Sequence, residues 1–248
     1  MIHITMKFSS TDVKVPIGGQ HMDGTMYVPE GNDEPYPGLL ILHGRGSRKE
    51  RFIDYAEALA GAGFATLIFS YRGHGESDGD IHDQTVSMNY DDVLVGYDYL
   101  TSHPRVNQER VGVYAGSFGG YLASFLSNDR PVHALILAAP GLYRNEWWNR
   151  ALETVPKQKR RDYRNGTDFG ENDAIAKIRK YTGPLLLIRH ENDELCPMSQ
   201  TRYYFENADS AVLKEKRVIK NAPHSLFDEK HRKESIQTTV DWFRRTLD

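Results

Sequence analysis

The sequence predicts an α/β fold with one mostly parallel central sheet and helices on both of its faces. Apolar runs of strand length alternate along the chain with segments whose apolar residues recur at helical spacing, an order typical of parallel sheets. The chain has 248 residues, which suits one large domain with a single core. Its composition, 39% hydrophobic and 26% charged, is that of a globular protein. We therefore expect one domain over residues 1–248.

The first part of the chain predicts the edge of this sheet. Three segments of alternating polarity are interrupted by glycines and are predicted to be antiparallel edge strands. They are Ile2–Phe8, Val13–Ile17 and Met22–Val28. The unbroken apolar run Gly38–Leu42 then predicts a strand that is buried on both faces.

Strands and helices alternate through the rest of the chain. The further predicted strands are Phe64–Phe69, Val111–Ala115, His133–Ala139, Pro184–Ile188 and Val212–Ile219. The predicted helices are Phe52–Leu59, Ser87–Ser102 with Ser87 as N-cap, Tyr121–Leu126, Met198–Glu206 and Lys230–Leu247. Residues 141–182 interrupt the alternation and are too short and polar for a core of their own, so we expect them to cross one end of the sheet.

Charge and cysteine content limit the kind of protein this is. The net charge of −3 gives no overall case for a nucleic-acid partner. No apolar run is long enough to span a membrane, and the first ten residues hold no continuous apolar core. Cys196 is the single cysteine, so no internal disulfide is expected. We expect a cytoplasmic protein that takes a small-molecule substrate and has no membrane partner, with a homodimer as one of the assemblies that the sequence allows.

Ser117 lies at a predicted corner between a strand and a helix, within the sequence Ala115-Gly-Ser-Phe-Gly119. A serine on such a turn points its hydroxyl into a cleft, next to the N-terminal N–H groups of the helix. The pentad alone is weak evidence, because a glycine-rich turn with a helix-capping serine has the same pattern. The preceding strand and the following helix supply the specificity.

An acid and a histidine follow the last two buried strands. In a parallel sheet, sites lie at the carboxyl ends of the strands, so Asp193 and His224 are expected at the same edge as Ser117. A serine becomes nucleophilic when an imidazole takes its proton and a carboxylate orients that imidazole. The three residues therefore predict nucleophilic hydrolysis.

Other residues compete for these roles. Glu191 and Glu194 are alternatives for the acid, and His231, inside the last predicted helix, is an alternative for the base. Cys196 is not expected to act as nucleophile, because Ser117 fills that role. The scattered histidines lack the spaced pairs of a zinc site, so neither a metal nor a cofactor is predicted.

Taken together, these motifs resemble the α/β-hydrolase superfamily from about Tyr36 to the C-terminus. The matching motifs are His43-Gly44 after the third strand, the loop Tyr71–Gly79, the corner at Ser117, and Glu191–Pro197 followed by Ala222-Pro-His224. The sequence is most similar to small serine esterases, dienelactone hydrolase and prolyl-oligopeptidase-like hydrolases. It departs from the pattern at Ala115, where many members have glycine, and at Ser70, where aspartate is frequent.

The resemblance implies a complete catalytic machinery. It implies Ser117 as nucleophile, Asp193 as acid and His224 as base, with an oxyanion hole formed by the backbone N–H groups of Arg45 and Phe118. The expected reaction is two-step acyl transfer on small carboxylic esters without a cofactor. A peptidase or amidase and an acyl thioesterase are the alternatives, and Glu146 or Glu153 would serve a peptidase by binding a substrate amino terminus.

The resemblance also identifies residues 141–182 as a short lid inserted after the sixth strand. Tyr143, Trp147 and Trp148 are candidates to line the substrate pocket, the alternative being that they only attach the lid to the domain. His43 is a further substrate-binding candidate, although a histidine there more often shapes the oxyanion loop.

Basic residues cluster after the oxyanion loop and in the predicted lid. They are Arg45, Arg48, Lys49, Arg51, Lys157, Lys159, Arg160, Arg161 and Arg164. They predict either two solvated helix faces or attraction for an anionic substrate or an acyl carrier such as coenzyme A.

Overall fold

The computed structural model describes residues 5–31 and 33–247, which form an eight-stranded sheet. The strands are β1 Phe8–Ile17, β2 Gln20–Pro29, β3 Tyr36–Leu42, β4 Ala65–Phe69, β5 Val106–Gly116, β6 Ala134–Ala138, β7 Leu185–His190 and β8 Lys214–Ile219. Their order in the sheet is β1-β2-β4-β3-β5-β6-β7-β8. β2 is antiparallel to both of its neighbours, and every other pairing is parallel. The predicted mostly parallel sheet is confirmed.

Helices cover both faces of this sheet, as predicted. They are α1 Ile53–Gly61, α2 Val86–Ser102, α3 Phe118–Asp129, α4 Lys157–Asn165, α5 Asp173–Lys180, α6 Met198–Asn207 and α7 Glu229–Leu247. Apolar side chains of α1 and α7 form the core on one face, and those of α2, α3, α5 and α6 contribute to the core on the other. Among the described residues, no helix combines the length and the apolar character needed to cross a bilayer.

The N-terminal edge differs from the expectation of three antiparallel strands. The structure has one long hairpin, in which Phe8 pairs with Pro29 and Ile17 pairs with Gln20. Gly18 and Gly19 both have positive φ, so the chain reverses within two residues and the polar start of β1 is held in register with β2. Residues 5–7 lie outside any strand, and residues 2–4 of the predicted first strand lie outside the described residues.

The start of α2 is also shifted from the predicted one. The side chain of Thr85, not that of Ser87, accepts the hydrogen bond from the Met88 N–H (3.1 Å) and so caps the helix. Both residues have a hydroxyl, and the sequence could not tell which one precedes the first helical turn.

The cap segment, residues 139–184, connects β6 to β7. It contains 3-10 turns at Asn145–Trp147 and Leu152–Thr154, followed by α4 and α5. α5 buries Ala174, Ile175 and Ile178 in the core that also contains α3. α4 by contrast buries only Tyr163, so the part of the cap segment nearest the carboxyl ends of the strands is polar and basic.

Candidate active site

The backbone at Ser117 is held in a conformation that non-glycine residues rarely adopt. Its φ is 53° and its ψ is −113°, which carries a strain on the order of 1–3 kcal/mol. The Ser117 N–H donates to the Ala138 carbonyl (2.9 Å), and the Ser117 carbonyl accepts from the N–H groups of Gly120 and Gly141, each at 3.0 Å. These bonds fix the corner from three sides.

Two glycines allow the chain to close tightly around this corner. A Cβ at Gly119 would lie 2.5 Å from the Leu42 carbonyl oxygen, so α3 begins directly against the end of β3. A Cβ at Gly44 would lie 3.2 Å from the Ser117 Cβ. The loop after β3 therefore lies next to the serine.

The structure brings Ser117, His224 and Asp193 together. The His224 Nε2 lies 3.1 Å from the Ser117 Oγ, and the His224 Nδ1 lies 2.7 Å from the Asp193 Oδ2. The Asp193 side chain is 2% exposed and that of His224 17%. The other Asp193 oxygen, Oδ1, accepts from the N–H groups of Leu195 and Cys196, each at 2.8 Å, so the carboxylate is fixed in place.

The competing residues lie elsewhere. Glu191 accepts a hydrogen bond from the Asn221 N–H at the surface, and Glu194 is exposed. His231 is on α7, where its Nδ1 lies 3.5 Å from Asp228.

Charge and burial act in opposite directions on His224. Burial lowers the pKa of His224, but the hydrogen bond to Asp193 and the contact with Cys196 outweigh it, so the pKa is raised from its usual value of 6.5. The Asp193 carboxylate therefore stabilises the imidazolium form, as a serine nucleophile requires of its base.

Cys196 lies closer to this centre than the sequence indicated. Its thiol is buried, and its Sγ is 3.9 Å from the Ser117 Oγ. Together with Asp193 and His224 it offers three metal-ligand atoms within 4.8 Å of one another. The His224 Nδ1 and the Asp193 Oδ2 already share a hydrogen bond, so these side chains as arranged are suited to proton transfer.

The predicted oxyanion donors lie next to the serine. Phe118 is the first residue of α3, and Arg45 lines the same cavity as Ser117. Among the residues that the structure describes, neither backbone N–H donates a hydrogen bond. Both groups are thus available to an oxyanion.

His43 supports the loop that carries Arg45. Its Nδ1–H donates to the Gly44 carbonyl (2.8 Å), and its Nε2 accepts from the Tyr71 N–H (3.2 Å). Burial, with a contribution from His74, lowers the pKa of His43 to about 3, so the ring is neutral. The ring is buried and does not line the cavity, which agrees with the loop-shaping role and not with substrate contact.

The Arg45 side chain ties the loop to the cap segment. Its guanidinium forms an ion pair with Glu153 and donates to the Asn89 Oδ1 (2.8 Å) and the Ile81 carbonyl (3.0 Å). The charge of Arg45 is therefore compensated by Glu153, a partner 108 residues away that no local sequence pattern indicated.

A cavity of about 420 Å³ opens in front of Ser117. Tyr143, one of the three aromatic candidates, lines it together with Leu152 and Glu153 of the cap segment. Trp147 and Trp148 do not: Trp147 is buried against Tyr163, and Trp148 packs on Phe125 at a ring distance of 4.6 Å. The two tryptophans hold the cap segment to the body of the protein.

His190 is a site residue that sequence reasoning missed. It lines the cavity, and its Nδ1–H donates to the His224 carbonyl (3.0 Å). Burial lowers the pKa of His190, so this donor is neutral. Its position as the last residue of β7, at the functional edge of the sheet, was the available signal.

Comparisons with known proteins identify relatives of this chain. The profile of the prolyl oligopeptidase family matches residues 51–248. An uncharacterized 31.7 kDa protein of Escherichia coli is 32% identical over 114 residues, which are 45% of this chain and 40% of that protein. Acyl-coenzyme A thioesterase 3 of Mus musculus is 35% identical over 120 residues, 46% of this chain and 26% of the thioesterase. The chain thus matches less than half the length of these curated relatives.

The fold is shared with solved hydrolases. Est1E of Butyrivibrio proteoclasticus, in a structure with ferulic acid bound, superposes with a TM-score of 0.75 at 19% identity. The superposition covers 95% of this chain and 99% of Est1E. The α/β-hydrolase fold expected from the sequence motifs is confirmed.

Proposed function

Since the chain belongs to the prolyl oligopeptidase family, we propose that this hydrolase cleaves small carboxylic esters through an acyl-enzyme intermediate on Ser117. The observation that carries the proposal is the chain of contacts from Asp193 through His224 to Ser117, at 2.7 and 3.1 Å. These are the distances at which an imidazole takes a proton from a hydroxyl.

The reaction has two steps. The Ser117 Oγ attacks the ester carbonyl while the His224 Nε2 takes its proton, and the imidazolium then protonates the departing alcohol. Water next gives a proton to His224 and attacks the acyl carbon, which releases the acid and restores Ser117. The Asp193 carboxylate stays ionised throughout and accepts the hydrogen bond from the His224 Nδ1–H.

The N–H groups of Arg45 and Phe118 are proposed to bind the oxyanion of each tetrahedral intermediate. One such donor lowers the barrier by about 3–4 kcal/mol. The position of Ser117 supports this proposal. Ser117 directly precedes Phe118 at the start of α3, and it lies against Gly44, the neighbour of Arg45 in the loop after β3.

Ester cleavage is favoured over cleavage of peptides from their amino terminus. An aminopeptidase needs an unpaired carboxylate for the substrate ammonium group. Glu153 is bound by Arg45, and Glu146 forms an exposed pair with Lys159 (2.9 Å). Neither acid is placed to bind that ammonium group.

The first test compares wild type with Ser117→Ala on p-nitrophenyl esters of increasing acyl length, with Ser102→Ala, on the exposed end of α2, as control. Loss of a triad nucleophile costs on the order of a millionfold in turnover, so Ser117→Ala should be inactive while Ser102→Ala matches wild type. A fluorophosphonate probe should label the wild type and Ser102→Ala only. Full activity of a folded Ser117→Ala variant, or a folded wild type that turns over no ester, would refute the proposal.

A further inference from the structure

We infer that Arg160 and Arg164 of α4 form an anion-binding subsite beside Ser117, and that the substrate is an ester or thioester carrying a negatively charged group away from its scissile bond. The inference rests on the proposed function and names its substrate class. Hydrolysis itself is unchanged: the acyl bond breaks, water supplies the new oxygen, and the anionic group takes no part in bond making.

The two arginines share one helix face and face the site. They are four residues apart on α4, the spacing at which side chains of a helix are neighbours. Both line the cavity that contains Ser117, and both also line an adjoining cavity of about 500 Å³ next to Leu195. A substrate that extends from Ser117 towards α4 meets both guanidinium groups.

Neither guanidinium group forms an ion pair in the described part of the chain. No carboxylate lies within 4 Å of either one, and the Arg160 Nε is buried without any hydrogen-bond partner. Arg164 is placed over the Tyr143 ring, with its Cζ 5.7 Å from the ring centroid. A buried unpaired donor on a cation is costly, and an anionic ligand would remove that cost.

Two acids lie near these arginines, and neither forms an ion pair with them. Glu153 belongs to the ion pair with Arg45, although the charge of Arg160 also contributes to lowering the pKa of Glu153. Glu194 lines only the adjoining cavity and is exposed. Positive charge therefore exceeds negative charge at the α4 wall of the site.

Other basic residues of the two predicted clusters differ in their partners or their position. Lys49 is buried in a pair with Asp23 (2.9 Å), and Lys159 pairs with Glu146 at the surface. Arg51 also lines the cavity and forms no ion pair, but it lies outside α4, with its guanidinium 4.0 Å from the centroid of the Phe227 ring. Arg160 and Arg164 are thus two neighbours on one helix that both reach the Ser117 cavity and form no ion pair in the described part of the chain.

Two sources could supply the anion, and matched substrates separate them. Mono-p-nitrophenyl glutarate carries a carboxylate on its acyl chain, and p-nitrophenyl valerate is its neutral match. Butyryl-coenzyme A carries phosphates on its leaving group, and the butyryl thioester of N-acetylcysteamine is its neutral match. The measured quantity is the ratio of kcat/KM for the anionic member to that for the neutral member of each pair.

Wild type should prefer the anionic member of one pair, and that pair identifies the source. In the double variant Arg160→Gln, Arg164→Gln this ratio should fall at least about tenfold, because a hydrogen bond to a charged group contributes a factor of that size or more to binding. Lys159→Gln, on the same helix but outside both cavities, should keep the wild-type ratio. Raising the salt concentration should lower the ratio for wild type by screening.

The inference is overturned if wild type cleaves the neutral esters and prefers neither anionic substrate, or if the folded double variant keeps the wild-type ratio. Both of these results leave the proposed esterase intact. Failure of folded wild type to cleave any of the four substrates would instead refute the proposed function, and the subsite with it. Thermal unfolding of each variant identifies those that fail to fold, and single Arg160→Lys and Arg164→Lys variants then replace the double variant.

Discussion

The thiol of Cys196 lies 3.9 Å from the hydroxyl of Ser117, which itself lies 3.1 Å from the His224 Nε2, the atom that accepts its proton in the proposed reaction. A sulfur atom therefore borders the proton-transfer path between nucleophile and base. The hydrogen bond to Asp193 and the contact with Cys196 together raise the pKa of His224 above its usual value. The dependence of activity on pH should report this contact.

We expect kcat/KM for a neutral ester to rise with pH, with a midpoint above 6.5. Only the neutral imidazole of His224 takes a proton from Ser117, and a raised pKa keeps the ring protonated to higher pH. In Cys196→Val the midpoint should fall by at least about 0.5 pH unit, because one of the two groups that favour the imidazolium is gone. Initial rates between pH 5 and 10 measure both midpoints.

A control for this experiment is Asp193→Asn, which removes the other group. It should lower turnover by about 10⁴-fold, a loss of rate and not a mere shift of the midpoint. If the midpoint of Cys196→Val equals that of wild type, the thiol has no influence on the base.

The strained corner at Ser117 predicts a difference in stability between two inactive variants. Glycine adopts positive φ without penalty, whereas alanine does not. At φ 53°, Ser117→Gly should therefore be more stable than Ser117→Ala by about 1 kcal/mol. Urea unfolding of the two proteins measures this difference, and equal midpoints with equal slopes would show that the corner relaxes in the absence of the hydroxyl.

The convergence of Ser117, Asp193 and His224 could be predicted from the sequence because the three residues occupy positions that the parallel sheet itself defines. Ser117 follows β5, Asp193 follows β7 and His224 follows β8, all at the carboxyl edge. A strand pattern therefore brings them together without knowledge of the loops. The N–H groups of Arg45 and Phe118, by contrast, were expected as oxyanion donors only from the resemblance to the α/β-hydrolase superfamily.

What the sequence could not show depends on loop conformation and on distant partners. Cys196 reaches the site because the turn after Asp193 folds back, with the Cys196 N–H donating to the Asp193 Oδ1. Trp147 and Trp148 were equally consistent with lining a pocket or filling a core, since an aromatic side chain suits both. No local pattern could pair Arg45 with Glu153.

Close packing at Gly119 predicts a large effect of one methyl group. In Gly119→Ala the new Cβ would lie within 3 Å of the backbone of Leu42 and His43, so α3 or the loop after β3 must move. We expect a loss of about 2–3 kcal/mol in the free energy of unfolding and a fall in kcat, because the displaced segments carry the two proposed oxyanion donors. Chemical unfolding and ester kinetics measure the two effects.

Gly116→Ala is the matched control for stability. A Cβ at Gly116 would approach only the Leu42 carbonyl oxygen, at 4.0 Å, which is ordinary contact. Its free energy of unfolding should stay within about 1 kcal/mol of wild type. A Gly119→Ala variant as stable as Gly116→Ala would show that α3 can shift freely.

The pair Arg45–Glu153 should couple the cap segment to the oxyanion loop. Both side chains are largely buried, at 10% and 22% exposure. Arg45→Met would leave the Glu153 carboxylate without its cation and should cost about 2 kcal/mol of stability, whereas the double variant Arg45→Met, Glu153→Met should cost less than the sum of the single variants.

The same coupling should depend on pH. Burial opposes ionisation of Glu153, but Arg45 outweighs this effect and lowers the pKa of Glu153 below its usual 4.5. A lowered carboxyl pKa stabilises the folded state above the unfolded value and loses that contribution as the pH falls through the folded pKa. The coupling energy measured by urea unfolding should therefore be present at pH 7 and be lost as the pH falls below 4.5 and through the lowered pKa of Glu153. A coupling that is zero at pH 7, or that is unchanged in strong acid, would contradict the ion pair.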